Sequence, residues 1–233
     1  MASSQASSSP PIQLAATVVP MRPSTGATGA PEILLLQRAA GLAFFAGAWV
    51  FPGGRIDPED GDPADFIACG KQAALRELAE EAGIRVERSS LTLISRWLTP
   101  PGQPRRFDTL HFIAQALPDQ RVTVQAEEVS GHRWISAADA LQLHARGELE
   151  LPPPTYVTLI ALQPMRTIEA ARAQLGQPPM HYVPRPQRAQ DGGLIYLYAE
   201  DAGYASGDLD APGARHRLYV PQDKAGQRWR YER

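Results

Sequence analysis

Three carboxylates, Glu77, Glu80 and Glu81, lie within the segment Arg76-Glu77-Leu78-Ala79-Glu80-Glu81-Ala82-Gly83-Ile84. Residues three and four apart on a helix share a face, so these acids converge on one strip of surface. Like charges at that spacing repel by roughly 0.2–0.5 kcal/mol per pair in an isolated helix. A divalent cation removes the repulsion, and hard oxygen ligands suit Mg²⁺, Mn²⁺ or Ca²⁺. The competing reading is a solvated acidic helix face. The flanking sequence decides between the two.

The elements that must position this strip follow from local pattern. Ile12 to Val19 reads as a first strand ended by Pro20, and Arg22 to Pro31 as a loop. Ile33-Leu34-Leu35-Leu36 reads as a strand buried on both faces. Trp49-Val50-Phe51 is a strand stopped by Pro52-Gly53-Gly54, whose glycines allow close backbone approach. Asp62 and Pro63 suit an N-cap and first helical residue, with Gly70 loosening that piece before the main helix, about Lys71 to Ala82. Ala74, Leu75 and Leu78 make its apolar stripe, and Gly83 stands at the C′ position.

Further strands are read at Leu91 to Leu98, Phe107 to Ala116, Val122 to Val124 and Arg133 to Ile135. Ser136 then caps a helix from Ala137 to about Arg146. Before the second of these strands lies Arg105-Arg106-Phe107, which either grips phosphate and stacks a base or forms a solvated basic corner. Leu151 to Pro154 is a stiff connector, and Thr155 to Leu175 is helical with a break at Pro164. The remainder is loop-rich, with strands at Leu194 to Tyr198, Arg215 to Val220 and Gln227 to Tyr231, and a hairpin turn at Asp223 to Gly226.

Bulk properties narrow the class. A chain of 233 residues, 43% hydrophobic and 21% charged, has enough apolar material for a core. A net charge of −2 argues against a general nucleic-acid binder. The single cysteine, Cys69, excludes an intrachain disulfide framework and points to a reducing, cytoplasmic setting. Cys69 reads as a small buried apolar residue. No apolar run approaches the roughly 20 residues that span a bilayer, so a membrane partner is not expected. His111, His132, His144, His181 and His216 show no paired metal-ligand spacing.

The residues from Gly54 to Ile84 resemble the Nudix hydrolase box, Gly-x5-Glu-x7-Arg-Glu-U-x-Glu-Glu-x-Gly-U with U aliphatic. Arg76, Glu77, Leu78, Glu80, Glu81, Gly83 and Ile84 meet its second half in full. Gly54 serves as the leading glycine and Asp60 stands where the first glutamate belongs, followed by an insertion of about eight residues, roughly Gly61 to Cys69. Leu34-Leu35-Leu36-Gln37-Arg38-Ala39, Gly47 and Phe51-Pro52-Gly53-Gly54 are similar in spacing to the signature of the coenzyme A diphosphatase branch. Ala43 stands at that signature's second arginine position.

The resemblance implies an α/β/α sandwich with a mixed β-sheet, plus a C-terminal helical and hairpin extension. The implied organisation is a disordered leader at 1–11, a hydrolase domain at 12–150 and an extension at 151–233 packed on the same domain. The implied reaction is hydrolysis of a diphosphate linking a nucleoside to another moiety, coenzyme A or its thioesters in the preferred reading. Other nucleotides (ADP-ribose, NADH, dinucleoside polyphosphates, capped RNA) are the alternative, and a non-catalytic nucleotide-binding regulator is the last.

The resemblance also assigns roles. Glu77, Glu80, Glu81 and the Gly53 carbonyl are the implied ligands of Mg²⁺ or Mn²⁺, with Arg76 orienting them. Glu128, six residues before Trp134, is a candidate general base beside Glu80, with Glu127 as its alternative. Strand alternation turns only one of the pair toward the site. Arg38, Arg105 and Arg106 are candidate phosphate contacts, and Phe51 and Phe107 candidate base-stacking residues. The extension would shape the pocket or a homodimer interface.

Overall fold

The computed structural model describes residues 10–24, 29–41, 45–222 and 229–233. Nearly all of the expected leader, the departure at Ala43 and the turn at Asp223 to Gly226 lie outside the described residues. In chain order the first half forms β1 (Ile12–Arg22), β2 (Glu32–Arg38), β3 (Trp49–Val50), β4 (Gly53–Arg55), α1 (Phe66–Ala82), β5 (Thr92–Leu98) and β6 (Arg106–Gln115). Then come β7 (Val129–Ser136), α2 (Ala137–Ala145), α3 (Pro153–Leu162) and α4 (Ile168–Leu175). The short strands β8 (Met180–Tyr182), β9 (Arg185–Arg188), β10 (Leu194–Leu197), β11 (Arg217–Val220) and β12 (Arg230–Glu232) complete it.

The main sheet has the order β3-β2-β1-β6-β5-β8, with β4 paired to β1 and β7 to β2. The β1–β6 and β5–β8 pairs are parallel and the others antiparallel, so the sheet is mixed. Strand alternation separates two cores. Val18, Leu34, Leu36, Leu110 and Phe112 pack on Ala73, Ala74 and Leu78 of α1. Val19, Ile33, Leu35 and Ile113 face Val157, Leu159 and Ile168 of the α3–α4 layer. The run Ile33 to Leu36 thus feeds both faces, as its uninterrupted apolar character requires. The result is the α/β/α sandwich. A second, antiparallel sheet, β12-β11-β10-β9, joins the second core through Tyr198 and Leu218.

Several boundaries differ from the sequence reading. Pro20 does not end β1, because its missing N–H falls between the stretches where β1 pairs with β4 (Ala15 to Thr17) and with β2 (Met21, Arg22). Gly70 does not loosen α1. Leu110 Cδ1 sits 2.6 Å from where a Cβ would be, so the glycine lets the helix lie close on β6. The N-cap is Asp65, accepting from Ala68 N at 3.0 Å, rather than Asp62. Gly83 ends the helix in the left-handed conformation at φ 66°.

Val122 and Val124 form no strand: the backbone there meets the helix end, Thr123 N donating to Ala82 O at 2.9 Å. Pro153 and Pro154 open α3 instead of serving as connector, since proline lacks only an N–H that the first turn leaves unpaired. The break near Pro164 separates α3 from α4. Strands β8 and β9 arise in a stretch whose prolines read as loop.

Candidate active site

Helix α1 brings Arg76, Glu77, Glu80 and Glu81 to one end of the sheet, and Arg76 is the hub of the charges there. Its fork holds Asp60, Nε to Oδ1 at 3.1 Å and Nη2 to Oδ2 at 2.8 Å, although the two residues lie 16 apart in the chain. It also donates to Glu77 Oε1 at 2.8 Å, Glu80 Oε2 at 3.2 Å and Arg55 O at 3.0 Å. Burial alone would raise the carboxyl pKa of Asp60. The Arg76 hydrogen bonds, the Asp57 N–H and the Arg76 charge outweigh it and hold the group below its ordinary range. Of the insertion, residues 61–65 connect Asp60 to α1, and Phe66 to Cys69 form the first turn of that helix.

Glu77 and Glu81 behave oppositely. Burial raises Glu77 against the pull of Arg76, with Glu80 and Glu128 adding repulsion. Burial pushes Glu81 up to about 8, opposed by the Gly53 N–H and by Arg38, and reinforced by Glu77 and Glu128. Gly53 N donates to Glu81 Oε2 at 3.0 Å. Only glycines fit beneath these acids. A Cβ at Gly54 would stand 2.3 Å from Glu77 Oε1, and one at Gly53 would stand 2.5 Å from Ala16 O.

A cavity of about 790 Å³ opens over this cluster. Its lining carries five carboxylates, Asp57, Glu77, Glu80, Glu81 and Glu128, against three guanidiniums, Arg38, Arg55 and Arg105. That excess, with two of the acids disfavoured as anions, fits a site for a divalent cation held by oxygen donors. Among the described residues no three His, Cys, Asp or Glu side chains form a ready-made cage. One nitrogen of Arg76, Nη1, donates to both Glu77 Oε1 and Glu80 Oε2.

Of the residues expected from sequence, Arg38, Phe51, Gly53, Glu77, Glu80, Glu81, Arg105, Phe107 and Glu128 line this cavity. Arg76 stands behind it. Arg106 is not among the lining residues, and its Nε donates to Thr99 O at 3.2 Å. Phe51 is built into the core, edge-on to His111. Glu127 and Glu128 lie in a turn before β7, so turn geometry rather than strand alternation separates them, and only Glu128 reaches the lining. Gln13, Ala15 and Thr17 of β1 and Thr109 of β6 also line it and were not anticipated. Their signal was small or polar side chains at alternate positions of two otherwise apolar strands.

The remaining expected features are structural. Cys69 is buried, its Sγ donating to Asp62 O at 2.8 Å. His144 and His216 are buried and hydrogen-bonded, while His132 and His181 are exposed. No helix among the described residues is long and apolar enough to cross a membrane.

An α/β/α sandwich carrying an acid-rich helix beneath a cavity lined by carboxylates and guanidiniums defines the class, and comparison with known proteins agrees. The NUDIX domain model matches residues 11–154, and the chain belongs to the Nudix family. It is 32% identical over 111 residues to the CTP pyrophosphohydrolase of Escherichia coli, covering 48% of this chain and 71% of that one. It is 38% identical over 64 residues to a human acyl-coenzyme A diphosphatase, covering 27% of this chain and 17% of that one. The crystal structure of a NUDIX hydrolase from Alicyclobacillus acidocaldarius superposes with a TM-score of 0.63 at 28% identity, over 72% of this chain and 99% of that one. The chain spans well under two thirds of several curated relatives, 57% of a Caenorhabditis elegans Nudix protein for example.

Proposed function

We propose that the chain is a hydrolase of diphosphate anhydrides that link a nucleoside to another moiety, acting in the cavity above α1. The observation that carries this reading is the convergence of Glu77, Glu80, Glu81 and Glu128 with Arg38 and Arg105 on one cavity. Water adds across the P–O–P link: its oxygen bonds to one phosphorus, the bridging oxygen leaves with the other, and the water proton passes to a carboxylate. Glu80 is our first choice for that base and Glu128 the second.

A bound divalent cation, Mg²⁺ or Mn²⁺, would neutralise the diphosphate and the glutamates that otherwise repel it. Glu77, Glu80, Glu81 and the Gly53 carbonyl would hold it, with Arg76 fixing the two glutamates it bonds. Arg38 and Arg105 would take the phosphate oxygens and Phe107 would pack on the attached group. Residues 12–150 form the catalytic unit in this reading, with 151–233 packed against it.

Coenzyme A or its thioesters are the preferred substrates, supported by the spacing of Leu34 to Gly54 and by the local likeness to the human diphosphatase. The bacterial likeness keeps other nucleotides in view. The test is Mg²⁺-dependent hydrolysis of coenzyme A, acyl-coenzyme A, ADP-ribose, NADH and nucleoside triphosphates by wild type and Glu80→Gln. We expect Glu80→Gln to lose at least about a hundredfold in kcat, the usual contribution of a positioned base. Unchanged turnover in that variant removes the mechanism. Failure to release a phosphopantetheine fragment removes the coenzyme A preference alone.

A further inference from the structure

Strand β8 lies beyond residues 11–154, the part that matches the family, yet it reaches the candidate site through the main sheet. Gly53, Thr17, His111, Ser95 and Met180 form one row across that sheet, each the cross-strand partner of the next. The row begins at the glycine whose N–H holds Glu81 and ends on β8. Gly53 rests directly on its neighbour: Thr17 Oγ1 and Cα stand 2.6 and 2.7 Å from where a Cβ would be. Beside it, Pro52 O accepts from Val18 N at 2.9 Å. The backbone at Gly53 is thus tied to β1, and β1 lies against β6.

The side chains along this path form a run of packed rings. Tyr182 of β8 lies flat on Trp97 of β5, with centroids 3.9 Å apart and planes 11° from parallel. Trp97 meets His111 of β6 at 6.2 Å, and His111 meets Phe51 edge-on at 6.4 Å. Only Pro52 separates Phe51 from Gly53. All four rings are buried. Trp97 Nε1 donates to Ser95 Oγ at 3.1 Å, which fixes the turn of the indole. His111 Nδ1 has no hydrogen-bond partner among the described residues, so packing between Trp97 and Phe51 is what holds that edge of the imidazole. Close-packed interiors pass displacement on instead of absorbing it.

We propose that Tyr182 is a positioning residue of the diphosphatase site. Its ring clamps Trp97 against His111, and His111 in turn fixes Phe51 and β1, and with them the Gly53 backbone beside Glu81. The proposal rests on the diphosphate reading above. Tyr182 lines no part of the acid-rich cavity, so it acts only through the rings between. Catalytic groups must be held to within about 0.5 Å, so the slack left by a missing ring is enough to matter. The C-terminal region thereby takes part in the reaction from behind the sheet.

The test compares Tyr182→Leu, Tyr182→Phe and Leu162→Ala in the full chain. Leu162 is buried in the same core but is not part of the ring run, so its truncation lowers stability without loosening the clamp. Amide hydrogen exchange at Gly53, followed by NMR, reports its bond to Glu81 and needs no turnover. We expect Tyr182→Leu to speed that exchange about tenfold, with Tyr182→Phe and Leu162→Ala within about threefold of wild type. In Mg²⁺-dependent hydrolysis, kcat should fall about tenfold in Tyr182→Leu with KM within about twofold, and Tyr182→Phe should restore it. Should Tyr182→Leu fail to fold, Trp97→Phe breaks the next link and is read by the same criteria. An acceleration below about threefold, or one matched by Leu162→Ala or Tyr182→Phe, overturns the proposal. Unchanged exchange in an active enzyme removes this proposal alone. Faster exchange in a chain that cleaves no diphosphate removes only the hydrolytic reading.

Discussion

Replacing Arg76 by methionine keeps the apolar stem and deletes the guanidinium fork. Asp60, 6% exposed, would then lose both charged hydrogen bonds and keep only the Asp57 N–H. Breaking a fully buried pair from one side costs about 3–5 kcal/mol. The Arg76 side chain retains 24% exposure, so solvent screens part of that and about 2–3 kcal/mol is expected. At about 2–4 °C per kcal/mol for a chain of this size, melting falls by roughly 5–10 °C. Urea or thermal denaturation reads this directly. The double variant Arg76→Met/Asp60→Asn removes the stranded charge and should recover a large part of the loss. Arg76→Lys, which cannot reproduce the fork, should lie nearer the methionine variant than wild type. A loss below about 0.5 kcal/mol, typical of an ordinary surface site, refutes the hub assignment, as does a double variant no better than the single.

Two further outcomes follow from the geometry. Gly54→Ala forces a methyl group to within 2.3 Å of Glu77 Oε1, so the Glu77 carboxylate must swing away. We expect Mg²⁺-dependent turnover to fall at least about tenfold, and a fully active variant would show that the Glu77 position is dispensable. Acid stability tests the buried pair Asp201–Arg217. Burial favours a higher Asp201 pKa, but the Arg217 fork and the N–H groups of His216 and Gly203 win and lower it to about 2 from 3.8. A depressed folded pKa contributes stability that is complete above about pH 4 and is lost as pH falls through 2. The contribution is about 2 kcal/mol. Urea midpoints measured from pH 5 to pH 2 should drop for wild type, and Asp201→Asn, less stable at pH 5, should lack that part of the decline.

Much of the site was readable because its signals are local. Glu77, Glu80 and Glu81 are neighbours on one helix, and their shared face depends only on helical spacing. Gly54 carries a steric demand visible as glycine at a fixed distance from the helix. The two-faced burial of Ile33 to Leu36 follows from an apolar run without polar interruption. What was misread depended on partners elsewhere. Gly70 looks like a helix breaker until Leu110 fills its missing side chain, and Pro20 like a strand end until the gap in pairing is known. Val122 and Val124 alternate like a strand, but the neighbouring backbone is a helix end. Arg105 and Arg106 are equivalent in sequence, and only one lines the cavity.

By itself the sequence determined the family, the acid-rich helix and the glycines beneath it, since these are dictated by spacing within a few tens of residues. Only the tertiary structure decided how Asp60 returns across sixteen residues to Arg76. It alone brought Tyr196 and Tyr198 beside Trp97 and His111 from the far end of the chain. The physical reason is the same in both cases. Long-range contacts are fixed by sheet order and by which face each strand turns inward, and neither quantity is written in any single stretch of residues.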